Sequence, residues 1–280
     1  MSTHTFSDLP SAPGQASAIA LYARATASFE GRVAEAVALL RQAADTGAAT
    51  QASSLGAEDM VITHLINSHA LPIPVFVLET GALHSETLAL LDRLRVQQAA
   101  HPQAPLTVYR PVAEAVVQFV DREGKDAMYQ SIALRKACCG IRKMEPLGRA
   151  LACKSAWITG LRREQSGARA EVPLIDNAEQ TTKSDGVGSP AAAGRLKFNP
   201  LANWTWGDVW NYIALNQVAC NPLHDQFYPS IGCAPCTRAI AVGEDFRAGR
   251  WWWEDEAAKE CGLHVAQGDL HVKQQEGAPA

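Results

Sequence analysis

The chain has 280 residues, 47% of them hydrophobic, enough for one sizeable core with at most a small appendage. A net charge of -4 and a pI of about 6.1 leave no overall basic footprint, which argues against a nucleic-acid or anionic-membrane partner. Apolar runs such as residues 62–66 and 73–78 fall far short of the roughly 20 residues that a bilayer span requires. The opening MSTHTFSDLPSAPG has no basic segment followed by an apolar run, so a cytoplasmic location is expected.

In chain order, residues 1–27 are rich in Ser, Ala, Thr and Pro and read as a loose arm. Phe29, Val33, Val37 and Leu40 then recur at helical spacing, predicting a helix over 30–44. A weak strand over 50–53, a helix over 57–68 and a strand over 74–79 follow. Next come a helix over 85–98 with Leu88, Leu91 and Leu94 on one stripe, and a strand over 106–110. Helices over 112–120 and 131–150 precede a buried strand over 156–160. Strands alternating with helices imply an α/β, doubly wound, mainly parallel sheet, with its ligand beyond the carboxyl ends of the strands. Residues 162–195 read as a long surface loop with an insertion at 181–194, and a helix over 206–216 is capped by Thr205 and Asp208. Residues 28–250 then form the main domain, and 251–280 a tail.

Three strand ends carry candidate ligand groups. Ser53, Ser54, Leu55, Gly56, Ala57, Glu58 and Asp59 sit between a strand and a helix, where small residues admit a ligand and free helix N–H groups attract an anion. Taken alone, they serve equally well as an ordinary helix cap. Thr80 and Gly81 lie at a second end; Gly160, Leu161, Arg162 and Arg163 lie at a third, where arginines can grip phosphate or sulfate oxygens. Each alone reads as a turn, but three on one sheet edge favour a nucleotide.

Seven cysteines, an odd number without an export signal, point to metal ligation or redox chemistry rather than disulfides. Cys233 and Cys236 are spaced so that one turn presents two thiolates to one centre, and Cys138 with Cys139 supplies two more. Directly adjacent cysteines suit zinc poorly; the competing reading of that pair is two small buried hydrophobes. Lys136, Arg142 and Lys143 flank it and favour thiolates. Cys261 stands apart, beside a glycine and near Lys259 and His264, surroundings that suit a reactive thiol as well as an incidental exposed one. Cys153 and Cys220 have no matching partners and read as structural. Residues 251–253, all tryptophan, read as a core anchor before a base-stacking platform. His84, His224 and His271 lack ligand spacing.

The segments KACCGIRK at 136–143, GCAPCTR at 232–238 and KECGLH at 259–264 together resemble the assimilatory adenylyl-sulfate reductases of bacteria and plants, within the PAPS/APS reductase family. The loop at 53–59 resembles the phosphate-binding loop of the wider ATP pyrophosphatase superfamily. The resemblance implies an adenine nucleotide alpha hydrolase-like fold with a flexible catalytic tail. It also implies a 4Fe-4S cluster on Cys138, Cys139, Cys233 and Cys236, with Cys261 as nucleophile. Lys143, Arg247, Arg250 and His264 would join the strand-end residues in binding adenylyl sulfate, and thioredoxin would be the reductant. Loss of the two cysteine pairs typifies relatives acting on phosphoadenylyl sulfate, so the pairs favour the substrate without a 3'-phosphate, with a dual-substrate enzyme as the alternative. A more distant one is an iron-sulfur tRNA thiolation enzyme, which calls for a fuller Ser-Gly-Gly loop and a basic surface. A homodimer or homotetramer fits the family, although no residue pattern argues for either.

Overall fold

The computed structural model describes residues 17–177 and 195–255. The insertion expected at 181–194, Cys261, His264, His271 and the tail beyond 255 lie outside the described residues.

Helices α1 (Ala18–Tyr22) and α2 (Phe29–Asp45) precede β1 (Ala49–Ser53) and α3 (Ala57–Ser68). Then follow β2 (Val75–Leu78), α4 (Ser85–Gln98), β3 (Leu106–Tyr109) and α5 (Ala113–Glu123). Helix α6 (Ile132–Cys139) continues through a π turn over Gly140–Met144 into α7 (Glu145–Ala150). Strands β4 (Ala156–Ile158), β5 (Ile175–Asn177) and β6 (Leu196–Phe198), then helix α8 (Trp206–Asn216), complete the named elements.

The six strands run in the order β3-β2-β1-β4-β6-β5; all neighbours are parallel except β5 against β6. The chain winds from β1 through β2 to β3 on one side and resumes with β4 on the other, so the topological switch lies between β1 and β4. The expected doubly wound sheet is therefore present, and its switch point opens the crevice where such folds take ligands.

Helix α3 is central: Ala57, Met60, Val61, Ile62, Leu65 and Ile66 are all buried, because β1 lies on one side and α8 on another. The Thr205–Asp208 cap appears as expected: the Asp208 amide donates to Thr205 Oγ1 at 3.1 Å, and the Thr205 amide to Asp208 Oδ2 at 3.1 Å.

Several expectations are revised. The arm is not loose from residue 17 onward: α1 packs on α8, Ala18 is fully buried, and its amide donates to Asp225 Oδ1 at 2.7 Å. On α4 the inward stripe is Thr87, Leu90, Leu91, Leu94 and Gln98; Leu88 is turned outward. Strands β5 and β6, within or just beyond the expected loop, extend the sheet. The helix expected over 131–150 is not uniform. The Glu145 amide bonds to the Gly140 carbonyl, five residues back, and this wider turn accommodates Pro146, which has no N–H to give to the Arg142 carbonyl.

Candidate active site

The carboxyl ends of β1, β2 and β4 converge on one pocket. Ser53, Ser54, Gly56, Glu58 and Asp59 line it from the β1–α3 loop, Thr80 from the end of β2, and Gly160 and Leu161 from the end of β4. Phe76, Leu147 and Trp157 form an apolar wall, while Lys143, Arg169, Arg247 and Arg250 bring positive charge. Gly160 is required here: a Cβ would stand 2.5 Å from Asp59 Oδ1 and 2.9 Å from Glu58 Cβ.

The β1–α3 loop is shaped by Asp59. Ser54 donates to Asp59 Oδ2 through its amide at 2.7 Å and its hydroxyl at 2.6 Å. Leu55 is left-handed at φ 63°, and its amide reaches Ser53 Oγ at 3.2 Å. Burial pushes the Asp59 carboxyl up to about 6, against the pull of the Ser54 bonds. The helix start thus carries carboxylates of its own as well as free N–H groups.

Three of the sequence candidates fall elsewhere. Arg162 is fully buried behind the pocket, donating to Glu58 Oε1 at 2.9 Å and Glu164 Oε2 at 2.7 Å, with its guanidinium over Trp206 and Phe246. Gly81 is off the wall; at φ 70° it makes the turn after β2, beside the Arg142 guanidinium, which donates to the Thr80 carbonyl at 2.8 Å. Arg163 is spent on the Val172 carbonyl and Asn203. Arg169 and Gln165, by contrast, reach the pocket from short turns that carry no apolar period, so pattern reading passed over them.

A second cavity adjoins the first. Cys138 and Cys139, at the end of α6, and Cys233 and Cys236, in the turn over Ala234–Cys236, all line it. One backbone and one side-chain contact hold that turn against the segment after β2: the Ala234 amide donates to the Ala82 carbonyl at 2.7 Å, and Thr80 Oγ1 lies 3.3 Å from Cys233 Sγ. Lys125, Arg135, Arg142, Lys143 and Arg250 surround the thiols. Burial raises Cys138, with Arg142 opposing, and pushes Cys236 up to about 11, with Cys233 adding to the rise and Arg250 and Lys143 opposing. These four thiols are the groups available to hold a metal centre. Among the described residues, no three His, Cys, Asp or Glu side chains converge tightly enough for a single ion.

Lys143, Arg250 and Trp251 belong to both cavities and form their common wall. Gly232 makes room for it, since a Cβ there would overlap the Arg250 guanidinium. Trp251 is buried, as expected of an anchor, whereas Trp252 is exposed. Of the remaining cysteines, Cys220 packs against the main core and burial pushes its thiol up to about 11. Cys153 is exposed at φ 60° in the turn after α7, so it fills no core space and the structural role expected of it does not hold.

Comparison with known proteins identifies the family. The phosphoadenosine phosphosulfate reductase domain matches residues 48–239. An adenosine 5'-phosphosulfate reductase of Allochromatium vinosum is 49% identical over 234 residues, covering 83% of this chain and 85% of its own. A protein of the same name from Burkholderia cepacia is 51% identical over 214 residues, covering 76% and 79%. The phosphate complex of phosphoadenylyl-sulfate reductase from Candida auris superposes with a TM-score of 0.55 at 28% identity, over 71% of this chain and 88% of that one. With the domain spanning well over half its length and relatives near one-half identity, this chain belongs to the phosphoadenosine phosphosulfate reductase family.

Proposed function

We propose that this chain is an adenylyl-sulfate reductase that forms sulfite and AMP with thioredoxin as reductant, in assimilatory sulfate reduction and cysteine biosynthesis. The observation that carries the reading is the common wall of Lys143, Arg250 and Trp251 between a pocket at the sheet's switch point and a cavity of four thiols. The relatives at about half identity, named for the substrate without a 3'-phosphate, support that substrate.

The nucleotide lies across the strand ends, near Ser53, Gly56, Thr80 and Gly160, with its sulfate toward Lys143, Arg247 and Arg250. Cations gathered there lower the cost of bringing a thiolate to an anion. The Cys261 thiolate attacks the sulfur, a sulfur–sulfur bond forms, and the bond from sulfur to the bridging oxygen breaks, so AMP leaves with the electron pair. A thioredoxin thiolate then attacks the Cys261 sulfur and releases sulfite; the second thioredoxin thiol resolves the mixed disulfide. Two electrons pass from the dithiol to the sulfur. His264, three residues from the nucleophile, is assigned to the substrate's anionic end.

The donor set suits a 4Fe-4S cluster on Cys138, Cys139, Cys233 and Cys236: four thiols face one cavity, and the cations around it offset thiolate charge. When bound, the cluster would supply a fixed centre of charge beside the common wall.

The test is AMP and sulfite release from adenylyl sulfate with thioredoxin, in wild type and Cys261→Ser, together with iron and sulfide content. Loss of turnover in Cys261→Ser by at least about 10³-fold is expected, with iron and sulfide retained. Full activity in the variant would sink the covalent route; a purified protein with zinc but no iron or sulfide would sink the cluster. Parallel rates on the 3'-phosphorylated substrate decide specificity.

A further inference from the structure

Arg135 and Glu254 form a fork-to-fork ion pair: Nε donates to Oε1 at 2.9 Å and Nη2 to Oε2 at 2.6 Å. Their side chains are 1% and 2% exposed. Arg135 lies on α6, three residues before Cys138, and lines the thiol cavity. Glu254 lies at the other end of the described chain, next to the segment that continues to Cys261. The pair spans 119 residues of sequence, so no local periodicity demands it.

Trp251 completes the arrangement. The Arg135 guanidinium sits 4.6 Å from its ring centroid, and the Arg250 guanidinium sits 4.8 Å from the same ring. Arg250 in turn lines both cavities. One indole therefore supports a cation from the cysteine helix and a cation from the common wall. A buried ion pair is a poor source of net stability compared with apolar side chains of similar volume, but it is exacting about geometry. That argues for a role in register rather than in cohesion.

We infer that Arg135, Glu254 and Trp251 are positioning residues that lock the cysteine helix, the Arg250 guanidinium and the root of the catalytic segment into one body. Neither Arg135 nor Glu254 takes part in bond making. Cys261 is seven residues beyond Glu254, a reach of about 25 Å when fully extended. Glu254, held in the body by Arg135, fixes where that seven-residue reach begins relative to a sulfur held by Arg250. The inference rests on the reading of Cys261 as the nucleophile.

The test uses the iron-loaded full chain in two variants: Glu254→Gln, which keeps the shape but removes the charge, and Arg135→Met with Glu254→Leu, which replaces the pair by apolar groups. Each is mixed with adenylyl sulfate without thioredoxin, and the first-turnover gain of sulfonate on Cys261 is followed by intact-protein mass spectrometry. AMP affinity and iron content are measured alongside. AMP affinity within about twofold of wild type, full iron, and sulfonation slowed by about tenfold or more in both variants are expected, since small displacements of a reacting group cost rate rather than binding. Wild-type sulfonation rates in the apolar double variant overturn the inference, and so do rates that fall only in proportion to lost folded protein or lost AMP binding. A wild-type chain that gains no sulfonate overturns the parent reading, and this one with it.

Discussion

Asp59 is the acid whose charge the pocket controls. A carboxyl held near 6 in the folded chain takes up a proton that an unfolded Asp, near 3.8, has already lost. Between those values the folded state binds more protons, so Asp59 costs stability progressively as pH rises from about 4 to 6, and the full cost remains above that. A shift of this size corresponds to roughly 3 kcal/mol. Asp59→Asn should therefore gain stability relative to wild type by about 1 kcal/mol more at pH 7.5 than at pH 5, measured by urea unfolding at each pH. An equal effect at both would show that the carboxyl is not raised. Residues of this kind were only half legible. The cysteine pairs are legible because ligand chemistry constrains their spacing, whereas Arg162 has the chemistry and strand-end position of an anion ligand and is instead held by Glu58, 104 residues away in sequence.

At the scale of elements, the bounds of helices α3, α4 and α8 were legible to the residue, although only α8 has a side-chain cap at its start and the inward stripe of α4 differs from the one its leucines suggested. Strands β5 and β6 were not: each has three residues, and β6 carries a buried Lys197 whose ammonium lies 5.2 Å from the Trp157 ring. Sheet membership came from the neighbouring strand, not from their own pattern. Helix α1 escaped for a similar reason: it has only five residues, of which Ala18 alone is buried, and it owes its place to packing on α8. The junction of β4 with α3 offers a direct test. Gly160→Ala puts a methyl group against Asp59 and Glu58, so strand end and helix must part. A stability loss of about 1–3 kcal/mol and at least about tenfold weaker AMP binding are expected, by urea unfolding and calorimetry. Unchanged AMP affinity would count against the nucleotide lying at this edge.

Across the whole molecule, two cavities with different linings meet at one wall, and the parts come from distant stretches: the strand ends, the α6–α7 segment and residues 229–251. The doubly wound order predicted where the first cavity would open. Nothing in the spacing predicted that the thiols would sit next door, because that contact depends on how the segment around Cys233 folds back onto Ala82 and Leu83. The π turn between α6 and α7 acts at this scale. An α-helix advances about 100° per residue, so one residue more or less in a continuous screw re-aims everything beyond it. Here the wide turn resets the phase between the cysteines behind it and Lys143 and Leu147 at its far end. Inserting one alanine after Met144 should turn α7 by about 100° and swing Leu147 away from the pocket. Such a variant is expected to keep its iron and sulfide yet bind AMP at least about tenfold more weakly, by calorimetry beside metal analysis; loss of both together would mean the turn serves only the fold. The two cavities are then kept in step by the pitch of one helix, a mechanical gearing that a single inserted or deleted residue can disengage while every side chain named in either cavity remains in the chain.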